Sequence, residues 1–282
     1  MSRKNINELT NLNYEYATKN GGVSTICLAT TPHNRTGILK QTGAVLDVEH
    51  DDLRTFLATA LLKSCGIPCA DVDLYIDDAG KHYWLSYDVL EQNQEHIELI
   101  YSGNILDSVD KEEVFNYYFK HILSSIIVLP GITLEQYNLI KKSILEHYFI
   151  NIIIGNYDDK SDNMKIIYDK DSKQYMPPIG YDYGTSFAPD SLINNGIFGQ
   201  LLPNEVMYFL IKNHYDDLKE VIDRVTQNLT SEKVIELLSD EVYEPLNQMA
   251  MYNFIKAKMI MVNNTLESLE KTNMYENSSK VV

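Results

Sequence analysis

The densest run of residues able to do chemistry is Gly155-Asn156-Tyr157-Asp158-Asp159-Lys160-Ser161-Asp162-Asn163. It follows an apolar stretch from Tyr148 to Ile154 and precedes Met164 to Tyr168, which reads as a strand. Transfer of a phosphoryl group needs a carboxylate to orient or deprotonate the attacking hydroxyl, a cation to meet phosphate charge, and oxygen ligands for magnesium. Asp158, Lys160 and Asn163 are residues of those three kinds. The D-x-x-x-x-N spacing is not selective by itself, because it also begins at Asp88, Asp190 and Asp223. Context separates the Asp158 copy, which lies between an apolar helix and a strand. The competing reading is an acidic turn whose Asp and Asn side chains only cap and bend the backbone.

A second candidate follows. After the hairpin-like stretch Met164 to Met176 comes Pro177-Pro178-Ile179-Gly180-Tyr181-Asp182-Tyr183-Gly184. Asp182-Tyr183-Gly184 is similar to the D-F-G triplet, in which the Asp chelates magnesium.

These residues need elements to position them. The first 90 or so residues read mainly as strands and turns: Val23 to Ala29, a turn at Thr31 to Arg35, a returning strand Thr36 to Lys40, and a further pair at Val72 to Ile76 and Tyr83 to Leu85. One helix interrupts them. Leu53, Phe56, Leu57, Ala60 and Leu61 recur at helical spacing after the acidic run Asp47 to Asp52, and the helix ends near Gly66. From about residue 105 the pattern is helical: Lys111 to Val128, then a helix opened by a Thr133/Gln136 capping box and running toward Ile154. Beyond the short β-like insert, helices are expected near 204–212, 215–227, 231–238 and 241–270, with a frayed tail after Lys271. The expected fold is α+β and two-lobed, protein-kinase-like: a β-rich N-lobe with one helix over residues 1–86, and a larger, mostly helical C-lobe over 87–282.

The block IIIGNYDDKSDNMKI followed by YMPPIGYDYG resembles the catalytic core of HipA-like serine/threonine kinases, including the short bacterial members. The resemblance covers the C-lobe core and extends to the order of the N-lobe. It implies that Asp158 is the catalytic base, that Asn163 and Asp182 hold magnesium, and that Lys40 holds the α- and β-phosphates of ATP. It further implies that Tyr14 to Gly22 covers the phosphates, with Gly21 and Gly22 allowing close backbone approach, and that Leu85 to Asp88, Tyr87 included, is the hinge presenting backbone to adenine. The pattern departs from the family in two places. Lys160 stands where the family has His, and a lysine there can still neutralise γ-phosphate charge. Glu49, Asp51 and Asp52 lie at or before the start of the N-lobe helix, so no helix-borne acid is expected to pair with Lys40.

The chain has 282 residues and a formal net charge of −16, with 40 acidic and 24 basic side chains. Its four arginines, Arg3, Arg35, Arg54 and Arg224, are scattered and there is no lysine run, so direct binding to nucleic acid is not expected. No segment reads as a signal peptide or a membrane span, so a soluble cytoplasmic protein is expected, with a secreted effector lacking a classical signal as the alternative. Three cysteines, Cys27, Cys65 and Cys69, support neither a disulfide framework nor a zinc site. The seven histidines are dispersed, and the Met and Tyr positions from Tyr243 to Met261 read as core packing. Three functions remain in competition: a kinase acting on a protein hydroxyl, a small-molecule phosphotransferase of the aminoglycoside or choline kind, and a non-catalytic kinase-like module paired with an antitoxin-like or host partner.

Overall fold

The computed structural model describes residues 2–13, 26–43, 50–90, 93–98, 110–156, 164–187 and 201–279. Strands β1 (Lys4–Asn5), β2 (Thr10–Asn13), β3 (Ile26–Thr30), β4 (Thr36–Gln41), β5 (Val72–Ile76) and β6 (His82–Tyr87) form one sheet in the order β1-β5-β6-β4-β3-β2. All neighbours in it are antiparallel except the parallel β1–β5 pair. Alternation sorts its side chains into two faces. Leu39 and Leu85 are cross-strand partners and bury themselves with Cys27, Ala29, Tyr75 and Tyr87 in a small outer cluster. Lys40 and Trp84, one residue on in each strand, are also partners and point the other way.

Helix α1 (Asp51–Ser64) packs on that inner face. Its apolar stripe, Leu53, Leu57 and Leu61, is fully buried together with Leu62 and Ala58. Asp51 and Asp52 occupy its first turn, where the helix dipole favours negative charge, and the chain turns out of the helix at Gly66 with φ +68°. The segment after it docks on the second lobe: Ala70 donates its amide to the Gly180 carbonyl at 3.0 Å, and Gly180 returns one to Pro68 at 3.3 Å.

The second lobe is built on α2 (Lys111–Ile127), α3 (Leu134–Ile154), α4 (Pro203–Asn228), α5 (Ser231–Leu238) and α6 (Gln248–Ser279), with a three-stranded sheet β7 (Gln94–Glu98), β8 (Met164–Asp169) and β9 (Gln174–Gly180) in that order. The Thr133/Gln136 capping box opens α3 as the sequence implies. Every residue from Ser143 to Ile154 is buried, so α3 is the axis of this lobe rather than an amphipathic cover. One hydrophobic core runs without a break from α1 through Trp84 into α3, α4 and α6.

The segments expected at 204–212 and 215–227 are the two halves of α4, which meet at a kink where His214 has a non-helical φ of −136°. Two expectations change in detail. The helix expected from Glu241 is a single turn, Glu241–Tyr243, followed by α6 from Gln248, because Pro245 lacks the amide a continuing helix needs. At its other end α6 continues through the tail to Ser279. Among the described residues, no helix is long and apolar enough to cross a membrane.

Candidate active site

Lys40 projects from β4 on the face that α1 covers. Its Nζ lies 6.0 Å from the Trp84 ring centroid and forms an ion pair with Oδ2 of Asp182, a residue 142 positions away that follows β9. Lys40 is only 15% exposed and Asp182 34%, so the pair sits in a partly closed cleft between the two sheets. Asp182 has a φ of +56°, a left-handed conformation that costs of order 1 kcal/mol for a residue with a side chain. Such local strain is held in place by its surroundings. The next turn, Tyr183 to Phe187, is pinned by three contacts: Ser186 donates its amide to Tyr183 O, and the Arg54 guanidinium of α1 donates from one nitrogen to the carbonyls of Ser186 at 3.1 Å and Phe187 at 2.8 Å.

Two acids on α1 lie beside this pair, and both are fully buried. Asp52 meets Arg3 of the N-terminal segment at 2.6 Å, with His82 Nδ1 at 4.0 Å. Burial, reinforced by the Arg3 charge, holds His82 below its ordinary value. Asp51 is different. One of its oxygens accepts from the amides of Gly43 at 3.1 Å and Asp52 at 3.0 Å, while Oδ2 is buried with no donor among the described residues. Burial pushes the Asp51 carboxyl up to about 6, and the charges of Asp52 and Asp182 act in the same direction. Gly184 explains how the two acids come close: the position its Cβ would take is 3.6 Å from Asp51 Cβ and 3.7 Å from Asp182 Oδ1.

Carboxylate oxygens are the ligand type a hard divalent cation takes, and Asp182 and Asp51 each bring one to the Gly184 turn, although no cluster of three or more His, Cys, Asp or Glu stands together among the described residues. Asp51 was placed by sequence reasoning at the edge of the helix and given no role. Nothing in its spacing marks it, because its importance depends on a residue 131 positions later. The helix starts early enough to carry Asp51 and Asp52 in its first turn, and the ion-pair partner of Lys40 is Asp182 of the other lobe rather than an acid of this helix.

The remaining site residues divide into two groups. Gly21, Gly22, Asp158, Lys160 and Asn163 lie outside the described residues. Both flanks of the 157–163 segment are described, however. Upstream, α3 ends at Gly155 with φ +66°, and the buried Asn156 accepts from Thr185 Oγ1 at 2.9 Å, beside the Asp182 turn. Downstream, β8 pairs with β9, whose last residue, Gly180, precedes Asp182 by two. The two described flanks, Asn156 and Met164, thus contact residues on either side of Asp182, Thr185 and Gly180.

Leu85 and Tyr87 lie in the last strand of the N-lobe sheet, immediately before the chain leaves it. Both belong to β6, which is paired on each side, Leu85 with Leu39 and Asp73, and their side chains fill the outer cluster. The Tyr87 amide is spent on Asp71 O at 2.9 Å and that of Asp88 on Thr36 O at 2.9 Å. The strand runs two residues further than its apolar pattern suggests, because Ser86 and Tyr87 still find ladder partners. Backbone that has left the sheet begins beyond Asp88. There, Asp88 lies 3.7 Å from His96 Nε2 and is held below the usual carboxylate range, chiefly by that histidine, while Tyr181 packs edge-on against the His96 ring at 5.6 Å.

No protein-family model matches the chain, and no curated protein matches it. Solved structures do. The proinflammatory kinase CtkA of Helicobacter pylori aligns over 86% of this chain and 94% of its own, with 12% identity and a TM-score of 0.61. The Golgi casein kinase aligns over 88% and 71%, again with 12% identity, at a TM-score of 0.50. HipA of Shewanella oneidensis MR-1, solved with HipB and operator DNA, aligns over 93% and 64% at 13% identity, but its TM-score of 0.44 is too loose to carry an argument. At these identities the likeness concerns the fold. The fold is kinase-like, a curled β-sheet lobe on a helical lobe, and folds of this class serve phosphotransferases.

Proposed function

We propose that this chain is an ATP- and magnesium-dependent kinase of the HipA-like type, transferring the γ-phosphoryl group to a serine or threonine hydroxyl of a protein. The observation that carries the reading is the meeting of Lys40 and Asp182 in the cleft between the sheets, with Asp51 buried beside them. A phosphate-holding cation and a metal-holding carboxylate are the two parts that must come from opposite lobes.

In this reading Lys40 would exchange Asp182 for phosphate oxygens when ATP enters. Asp182 and Asn163 would hold magnesium, with the buried oxygen of Asp51 behind them. Bound magnesium supplies neutralisation of phosphate charge. Asp158 takes the proton of the acceptor hydroxyl as its oxygen bonds to phosphorus and the bond to the bridging oxygen of ADP breaks. Lys160 meets the charge on the transferred group. Gly21 and Gly22 cover the phosphates, and adenine lies against the chain where it leaves β6 after Asp88, at the boundary between an N-lobe of about 1–86 and a C-lobe of 87–282.

Incubation with radiolabelled ATP and magnesium tests the reading. The wild type should label itself or a protein acceptor, and Asp158→Ala should lower the rate by roughly 10²–10⁴-fold. Asp182→Ala should also abolish the magnesium dependence of nucleotide binding in calorimetry. Absence of both transfer and nucleotide binding in the wild type would refute it.

A further inference from the structure

Phe187 touches three elements at once, α1, α3 and α6. Its φ is +59° and its ring is 3% exposed. Its amide donates to the Ile154 carbonyl, in the last turn of α3, at 2.7 Å. Its carbonyl accepts from Arg54 of α1 at 2.8 Å. Its ring meets that of Phe254, on α6, edge to face with centroids 5.9 Å apart.

Phe254 closes the circuit. Its ring covers Gly155, with Cζ 2.5 Å from where a Cβ would stand, so only glycine fits beneath it. Gly155 and Asn156 are the last described residues before the segment that carries Asp158. Phe254 is covered in turn by the Lys258 ammonium, 5.1 Å from its centroid, and Lys258 is itself only 8% exposed. The turn that begins at Asp182 and the entry to the 157–163 segment are thereby fixed to each other. Two direct hydrogen bonds join them, the Phe187 amide to the Ile154 carbonyl at 2.7 Å and the Thr185 hydroxyl to Asn156 Oδ1 at 2.9 Å, and one aromatic ring from the last helix and one guanidinium from the N-lobe helix brace that junction from outside.

We infer that Phe254 and Arg54 are positioning residues that set the Asp182 turn in register with the start of the Asp158 segment, through Phe187. The inference rests on the proposed phosphotransfer reading for its consequence in rate, but its geometric content stands apart. Neither residue touches Lys40 or the carboxylate of Asp182, so loss of the latch should misplace the base relative to the metal ligand while leaving the nucleotide's own contacts intact.

Phe254→Ala and Arg54→Gln should each lower the rate of phosphoryl transfer at least tenfold, with the KM for ATP and the calorimetric affinity for magnesium–ADP changed less than threefold. Phe254→Leu, which keeps most of the volume, and Arg54→Lys, which keeps the charge, should recover part of the rate. Equal losses in rate and nucleotide affinity, or no loss, would overturn the inference. Amide hydrogen exchange gives a reading independent of activity: Phe254→Ala should speed exchange at Asn156 and Phe187 while β3 to β6 stay protected. A uniform rise, or none, would overturn the latch even in an active enzyme. Local exchange as expected in a wild type that neither transfers phosphate nor binds nucleotide would retain the latch and refute the phosphotransfer reading alone.

Discussion

The two ends of the cleft are built on opposite principles. Around Lys40, Asp182 and Asp51 the groups are charged, partly exposed in the case of the pair, and incompletely satisfied, since Asp51 keeps a buried oxygen without a donor. Around Gly155, Phe187 and Phe254 the contacts are mainly aromatic or to backbone, with the Arg54 guanidinium and Lys258 ammonium at their edges, and the positive φ of Phe187 is held by a hydrogen bond at its amide and another at its carbonyl. Each end keeps a buried polar atom without a partner among the described residues, a carboxylate oxygen of Asp51 at the first and the Ser186 hydroxyl at the second, so the two differ in charge rather than in completeness.

Substitutions can break that contrast, and Gly155→Ala should do so most. It combines a positive φ with a Cβ 2.5 Å from the Phe254 ring, and a loss of about 3 kcal/mol is expected in chemical denaturation. Combining it with Phe254→Ala should give a non-additive cycle of about 1 kcal/mol, and strict additivity would remove the steric part of the account. At the charged end the sign reverses. Asp51→Asn keeps an oxygen for the Gly43 and Asp52 amides and removes an unpaired buried charge, so the ligand-free protein should gain about 1–3 kcal/mol while losing part of the stabilisation given by magnesium–ADP. A destabilised Asp51→Asn would show that this oxygen has a partner already.

His147 gives a pH-dependent test of the dry side. It is fully enclosed, and its two ring nitrogens face the carbonyls of Ser143 at 2.8 Å and Pro68 at 2.9 Å. A neutral ring donates to only one of them, and protonation would serve both, but burial outweighs that gain and holds the imidazole below its ordinary value of 6.5. The unfolded chain therefore takes up the proton first as pH falls. Stability from this residue is complete above about pH 6.5 and is lost below it, by at most about 1.4 kcal/mol per pH unit. His147→Gln should flatten that acid limb, and an unchanged limb would mean the ring is already charged in the fold. The smallest effect is expected outside both ends. Lys212 reaches both oxygens of Glu112 at 2.8 and 2.9 Å between α4 and α2, yet the pair is solvent-screened, so Lys212→Ala should cost no more than about 0.5 kcal/mol in the same denaturation assay.

The contrast also marks what could be read from residue order. The capping box at Thr133, the apolar run into Ile154 and the stripe Leu53, Leu57, Leu61 are local patterns, and their elements lie where the patterns put them. Spacing alone misleads: the D-x-x-x-x-N at Asp223 lies inside α4, where its two ends are positions five residues apart on one helix. Asp51, Arg54 and Phe254 carry no local signal, because each acquires its meaning from a partner more than 60 residues away. The end of β6 carries no local signal for a similar reason. Whether Ser86 and Tyr87 continue a strand depends on whether β4 and β5 still lie beside them, which their own side chains do not encode.

By itself the sequence determined the order of elements, a β-rich first part before a helical second part, and a short list of acids and lysines as candidates for a site. Helical and strand periodicity, caps and turn residues act over a few positions, so they are written in the chain directly. The tertiary structure decided which of those residues meet: Lys40 with Asp182, Asp51 beside them with an oxygen to spare, and Phe254 over Gly155. Those contacts are set by the packing of one continuous core across both lobes, a property of the folded whole that no window of the sequence contains.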